Sequence, residues 1–466
     1  MKQAANKDDF DVCIVGAGPA GLACLSAIRE PYSIDHLTES QTQRAVRSMR
    51  GLHRQLRVCV IDPQPGWLHA WQSNFERLRI EHLRSPALAH PDTFDVHALL
   101  AFACQQQRDQ TELHESGCFD VKQLQGLYET HSGLWKLPSS KLFLDFCQSI
   151  AQNMPHQRIQ GHVVDVDHSS DDDDDDDDDR GYYKIHWCDH NNNNNNNDKN
   201  RKKTVFARHL VFACGMTGRM VVPPGLEGCP RFASWREPRA FPSKSITVAG
   251  GRKPVERVLV VGGGLTAVQT ALRVVNDGHE CVLCSRRPLQ EKHFDLTVEW
   301  FDRRTANHCR SDIYHDNDFT SRLQKLKEAR DGGSVPPMYM KQLADSNIKT
   351  WVGQVEYKET DDSPTTGTRD GVHVLFQGLP HVFDRVVLAC GVTPDCTANP
   401  VLGKVVQKWP VPVHGGLPLL TEDLQWNKKT HPNLFVVGAL AALQMGPDAG
   451  NLMGLRRAAT VVANAL

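Results

Sequence analysis

An α/β architecture of two nested, doubly wound units is what this sequence predicts, and three observations predict it. Glycine-rich turns stand at GAGPAG (Gly16 to Gly21) and GGGLTA (Gly262 to Ala267). Each is opened by a short apolar strand and runs into small and apolar residues suited to a helix. Each is followed far downstream by the same tripeptide, Ala-Cys-Gly, at Ala213 to Gly215 and again at Ala389 to Gly391. One such turn is a weak signal, but a repeat of the whole strand, turn, helix and closing strand describes two Rossmann-like dinucleotide-binding domains.

The elements follow in order. Asp11 to Val15 is the first strand and Pro19 to Glu30 the helix that begins inside the turn. Leu56 to Ile61 is the second strand and ends in Asp62, later than the usual spacing for a ribose-binding acid. The polar stretch Pro31 to Gln55 accounts for the delay, as a partly helical surface insertion. Arg158 to Asp167, Tyr182 to Cys188 and Thr204 to Cys214 then read as a β-meander. Its two tips carry nine aspartates (Asp171 to Asp179) and seven asparagines (Asn191 to Asn197). A homopolymer of like charge repels itself and lacks the spaced ligands of a metal loop, so residues near 169–180 and 190–202 are expected to be disordered and no metal site is expected.

The second unit begins with the strand Arg257 to Val261, continues through GGGLTAVQTALRVV, and reaches the strand Glu280 to Cys284. Lys349 to Tyr357, Val372 to Gln377 and Val382 to Leu388 repeat the strand-rich close of the first half, with Asn433 to Val437 and Asn451 to Ala465 as the last strand and helix. The expected division is 1–245 and 391–466 for the first domain, with 255–390 inserted as the second.

Composition narrows the function classes. A chain of 466 residues, 40% apolar, can build more than one core, and a formal charge of −2 carries no excess of base for nucleic acid or an anionic membrane surface. The N-terminus lacks an apolar leader core and no run is long and apolar enough for a membrane helix, so a cytoplasmic location is expected. The cysteines are scattered and read as free thiols. Cys281 and Cys284 form the one CxxC, but in a strand, where positions three apart face opposite sides, which suits buried residues rather than a redox pair.

The turns say what is bound. A pyrophosphate must approach backbone amides at a helix N-terminus, where the dipole is positive and side chains would obstruct it. Gly16, Gly18, Pro19, Ala20 and Gly21 form one such seat, and Gly262, Gly264, Leu265, Thr266 and Ala267 the other. Asp62 suits the ribose hydroxyls of FAD. At the matching place the second unit has Ser285, Arg286 and Arg287, and two guanidinium groups there favour a 2′-phosphate, hence NADPH over NADH. Gly391 closes that site. Near the end, Gly438 and the amides of Asn451 and Leu452 are placed to face a flavin and stabilise negative charge on it.

The motif Asp384-Arg385-Val386-Val387-Leu388-Ala389-Cys390-Gly391 resembles the Asp, three residues, Leu-Ala-Thr-Gly motif of the lysine and ornithine N-monooxygenases, the flavin-dependent N-hydroxylating enzymes, with Cys390 in place of threonine. The resemblance spans nearly the whole chain apart from its polar insertions. It places Trp71 to Pro86 around the flavin and substrate pocket, with His69, Gln72, His82 and Arg84 as candidate catalytic residues and His293 as a weaker one. Three departures stand beside it. The second turn has Leu265-Thr266-Ala267 where the family has Gln-Ser-Ala, Arg79 to Pro86 holds no counterpart of the substrate lysine, and Val437-Gly438-Ala439 replaces a Gly-Asp pair common in related flavoproteins.

The resemblance implies that hydride passes from NADPH to FAD and that oxygen then forms a flavin peroxide, which gives one oxygen atom to a nucleophilic nitrogen or sulfur of a small molecule. Two other readings share the same motifs: a reductase passing electrons to a quinone, a protein or another acceptor, and a non-catalytic FAD-binding regulator. The oligomeric state is left open.

Overall fold

The computed structural model describes residues 8–30, 38–52, 56–116, 134–169, 181–189, 202–229, 232–243, 247–248, 251–252, 254–301, 303–358 and 371–466. Two sheets organise it, the first mixed and the second all parallel. The first has eight strands, and its main path runs Gln425–Asn427, His431–Val436, Lys203–Phe212, Asp9–Val15, Val58–Asp62, Gln157–Gln160. The ten-residue strand Lys203–Phe212 serves two layers: its C-terminal part pairs parallel with Asp9–Val15, and its N-terminal part pairs antiparallel with Tyr182–Cys188. Tyr182–Cys188 in turn pairs with His162–Ser169, completing the first meander.

The second sheet is all parallel, in the order Phe232–Ser234, Arg385–Leu388, Arg257–Val261, Glu280–Ser285, Lys349–Val352. A separate antiparallel sheet of Val355–Tyr357, Val372–Phe376 and Leu379–Phe383 is the second meander. Phe232–Ser234 belongs to the second sheet although it precedes residue 245, so the second unit takes its first strand from the expected side of its partner.

Two expected strands are each broken by a glycine, and for the same reason. Gly161 separates Gln157–Gln160 from His162–Ser169, and Gly353 separates Lys349–Val352 from Val355–Tyr357. The Gly161 amide donates to the Asp62 carbonyl at 3.0 Å, and the Gly353 amide to the Ser285 carbonyl at 2.9 Å. In each half the chain thus turns from parallel sheet into meander at the end of the second strand, pressed against an aromatic ring: a β-carbon at Gly161 would meet Trp187 at 2.4 Å, and one at Gly353 would meet Phe376 at 3.2 Å. The interval Val382 to Leu388 divides likewise at Asp384, whose carboxylate accepts from the Arg257 amide at 2.6 Å.

The helix Pro19–Arg29 opens with proline, which has no amide to leave unsatisfied, and continues with small and apolar residues. It is buried from Ala20 to Arg29 and packs on the last helix, Leu452–Ala465, which brings the chain back to the first domain. Strand residues of the second sheet divide between two cores by parity: Val258, Val260, Cys281 and Leu283 face one side, and Leu259, Val261, Val282 and Cys284 the other. Each such large side chain, fully buried, stabilises the fold by roughly 1.5–3 kcal/mol. Cys281 and Cys284 therefore lie on opposite faces, and burial raises their thiols to about 12 and about 11.

The insertion contains the helix Glu39–Leu52. The aspartate and asparagine tracts lie outside the described residues. Among the described residues no helix is long and apolar enough to cross a membrane, and no group of His, Cys, Asp or Glu is arranged to hold a metal ion.

Candidate functional site

The two glycine turns are built alike. The Gly16 amide donates to the Ile61 carbonyl at 2.9 Å and the Gly262 amide to the Cys284 carbonyl at 2.9 Å, so each turn is tied to the end of its second strand. The Ala213 amide reaches Val15 at 2.9 Å and the Ala389 amide reaches Val261 at 2.8 Å, so each Ala-Cys-Gly closes on the end of its first strand. Gly16 and Gly262 have φ of +116° and +154°, and a β-carbon on either would strike the carbonyl of Ala213 or Ala389. The backbone carbonyl of each tripeptide's alanine thus occupies the side of the turn that a side chain would need, which is why the turn residue is glycine.

Both turns fit a pyrophosphate. A β-carbon at Gly21 would lie 1.9 Å from the Gly16 carbonyl, which makes that glycine a packing requirement of the helix on its own turn. Gly18 has open space on its free side, with nothing within 4 Å. Gly18 and Gly264 are the N-caps of Pro19–Arg29 and Leu265–Asn276, and neither helix receives a side-chain cap; terminal amides of the first are left for an anion, whereas the Leu265 amide of the second donates to the Ser334 carbonyl at 3.1 Å. Asp62 steadies the first turn: its two carboxylate oxygens accept from the Ala17 and Gln64 amides, each at 2.8 Å. Each oxygen keeps a further lone pair for a ribose hydroxyl.

Three cavities meet at Arg84. The largest, about 760 Å³, runs along the second turn from Gly262 to Thr266, past Ser285, Arg286 and Arg287 to Arg330, Cys390 and Gly391. A second, about 210 Å³, lies against Ser85, Phe294, Asp295, Phe301, Asn451 and Leu452. A third, about 270 Å³, lies beside His82, Thr266, Gln269, His293 and Tyr339. Arg84 lines all three. Its Nε donates to the His293 carbonyl at 2.9 Å, its Nη2 to the Lys292 carbonyl at 2.9 Å and the Ser334 Oγ at 2.9 Å, and its Nη1 to the Ser334 carbonyl at 3.3 Å. A residue of the first domain thus pins a loop of the second.

The other sequence candidates divide. His82 lies on the third cavity, its ring 3.7 Å from that of His114, and burial together with the His114 charge lowers its pKa. His69 opens the helix His69–Leu78 and Gln72 lies on it, donating to Glu76 Oε1 at 2.7 Å; neither lines the three cavities. His293 contributes its carbonyl to Arg84. Gly438, with φ of +91°, precedes a short 3-10 turn. Asn451 caps the last helix, accepts at Oδ1 from Arg330 at 3.1 Å and donates from Nδ2 to Asp295 at 3.2 Å, while Leu452 lines the second cavity.

Sequence reading missed Asp295, Arg330, Ser334 and Asp448. Asp448 is buried and paired with Arg457 at 2.8 Å and Arg310 at 3.1 Å, holding the loop before the last helix. All four lie in stretches without a motif, and a buried acid next to scattered arginines leaves no spacing signal in the chain.

No family model matches the chain, and no curated protein matches it. Solved structures do match over its length. The FAD-bound cadaverine monooxygenase of Erwinia amylovora is 14% identical, with 97% of this chain and 93% of that chain covered and a TM-score of 0.63. The ornithine hydroxylase of Pseudomonas aeruginosa, in its reduced form, is 14% identical over 98% of both chains, with a TM-score of 0.64. The L-lysine 6-monooxygenase of Pseudomonas syringae is 18% identical over 98% of both, with a TM-score of 0.60. This chain has the fold of the flavin-dependent N-hydroxylating monooxygenases. Within that monooxygenase fold, the two glycine turns carry the two Rossmann-like units, and Arg84 lines the cavity of the second turn together with two smaller ones.

Proposed function

We propose that the protein is an FAD- and NADPH-dependent oxidoreductase, a monooxygenase that hydroxylates a nucleophilic nitrogen or sulfur of a small molecule. The observation that carries the reading is the paired construction of the turns: two helix N-termini without side-chain caps, each behind a glycine that excludes a side chain, in a fold otherwise matched end to end among N-hydroxylating enzymes.

In this reading Gly16 to Gly21 and Asp62 hold FAD, and Gly262 to Ala267 with Arg286, Arg287 and Gly391 hold NADPH. FAD, when bound, supplies a carrier that takes electrons from the nicotinamide and passes them to dioxygen. The protein's own contribution is placement. Asn451, oriented by Asp295 and Arg330, fixes the N-terminus of the last helix, whose positive end stabilises an anion at the second cavity. Phe294, Phe301 and Leu452 supply the apolar part of that cavity's wall, beside the polar side chains of Arg84, Ser85, Asp295 and Asn451. His82, neutral at neutral pH, offers an imidazole nitrogen to a proton in the third cavity.

The test is rapid-mixing reduction of the FAD-loaded protein by NADPH, followed by oxygenated buffer. A long-lived absorbing species before the oxidised spectrum returns supports oxygen transfer and directs a screen of amines, amino acids and sulfides. Direct return to the oxidised spectrum points to a reductase, and absence of reduction overturns the enzymatic reading.

A further inference from the structure

Behind the helix Phe319–Arg330 the chain reverses through Asp331 and Gly332, with φ of +48° and +76°, and lays a short strap from Asp331 to Ser334 across the second glycine turn. Three contacts fasten it. The backbones touch: a β-carbon on Gly333 would come within 2.9 Å of the Gly264 Cα. The Leu265 amide, at the first position of the helix Leu265–Asn276, donates to the Ser334 carbonyl at 3.1 Å. The Asp331 carboxylate accepts from Gln290 Nε2 at 2.6 Å and from Lys292 Nζ at 3.0 Å, with Arg287 Nη1 at 3.7 Å, while Arg287 Nη2 donates to the Asp331 carbonyl at 2.6 Å.

The strap therefore offers an oxygen to a helix-terminal amide and a carboxylate to Arg287, on the wall of the largest cavity, and to Lys292 and Gln290, which lie outside that wall. A dinucleotide makes the same two demands, one through its pyrophosphate and one through a sugar phosphate. The strap and a phosphate cannot both take the Leu265 N–H, which points to one acceptor, and Gly333 packs on Gly264 at the edge of the cavity.

We propose that Asp331 to Ser334 is a built-in competitor for the nicotinamide nucleotide, and that Arg287, Lys292 and Gln290 are the seat a nucleotide phosphate takes once the strap lifts. The proposal rests on the second turn being a nucleotide site, as read above. It makes apparent affinity the intrinsic affinity multiplied by the fraction of molecules with the strap lifted, so loosening the strap tightens binding without a new contact. Arg84 holds Ser334 from the side of the first domain, so lifting the strap also frees donors of Arg84 where the three cavities meet.

The experiment is calorimetric titration of the FAD-loaded protein with NADP+ and with NAD+, which involves no turnover, in wild type, Asp331→Asn and Gly333→Ala. Asp331→Asn keeps the shape and removes the charge, and Gly333→Ala keeps the charge and pushes the backbone off Gly264. Retention of bound FAD checks folding of both. Expected is a tightening of both nucleotides in both variants, on the order of fivefold, the upper range for releasing an exposed ion pair. A tightening of NADP+ alone in Asp331→Asn, with Gly333→Ala unchanged or weaker, reduces the effect to charge repulsion and overturns the strap. Equal affinities in all three proteins overturn it while leaving the nucleotide site standing. No binding of either nucleotide to any of the three overturns it together with the reading of the second turn.

Discussion

The Ala213 carbonyl lies 2.4 Å from where a β-carbon on Gly16 would be, and Ala389 stands in the same relation to Gly262 at 2.3 Å. The closing strand of each unit thus reads the identity of the turn residue at its far end. A side chain there has to displace backbone, and backbone in the middle of a parallel sheet has nowhere to go.

Gly16→Ala and Gly18→Ala separate packing from binding. Gly16→Ala adds a side chain at positive φ against a carbonyl and is expected to lower stability by about 1–3 kcal/mol or more, seen as a fall in the denaturant midpoint. Gly18→Ala meets no atom within 4 Å, so its unfolding midpoint stays near wild type. Its affinity for FAD falls on the order of tenfold, about the loss of one hydrogen bond to a charged group. A Gly18→Ala protein that binds FAD normally removes the first turn from the flavin site.

Arg286→Ala combined with Arg287→Ala is expected to raise the dissociation constant of NADPH about tenfold relative to NADH, the value of one charge-assisted phosphate contact. Both residues line the cavity of the second turn. Equal weakening of both nucleotides in a binding titration puts the arginines outside the phosphate site.

Arg84→Lys tests the joint between the domains. A lysine cannot reach the carbonyls of His293, Lys292 and Ser334 together as the guanidinium fork does. The variant is expected to lose about 2–4 kcal/mol in urea unfolding, from two or more unmade bonds to a charged group. A loss below a few tenths shows that the fork is not what holds the Ser334 loop.

His90 predicts a pH dependence. Burial first, and then the Arg456 charge, lower it from its ordinary 6.5 to about 3. The unfolded chain therefore takes up the proton first, and stability that is complete above about 6.5 is lost as the pH falls toward about 3, by roughly 1.4 kcal/mol per unit. His90→Leu removes the proton acceptor, so the difference in unfolding midpoint between wild type and variant should shift between pH 6 and 4. A constant difference across that range shows that His90 does not titrate in this way.

Local rules were enough for much of the molecule. Glycine turns between a strand and a helix, and the alternation that sends Cys281 and Cys284 to opposite faces, follow from backbone sterics and side-chain period, which act over a few residues. They were legible in the chain for that reason. The breaks at Gly161 and Gly353 were not, because an apolar run crosses each, and it is the ring of Trp187 or Phe376 from another strand that forbids a side chain there. Phe232–Ser234 is too short to announce its partner, and only pairing with Arg385–Leu388 gives it a sheet. The candidate site divides in the same way. The chain alone specified the two glycine turns ahead of helix N-termini, since a helix N-terminus behind glycines is a local object. Only the fold decided that Arg84 gathers three cavities, that Asp295 and Arg330 orient Asn451, and that Asp331 to Ser334 crosses the second turn, because each depends on groups far apart in the chain being brought together by packing.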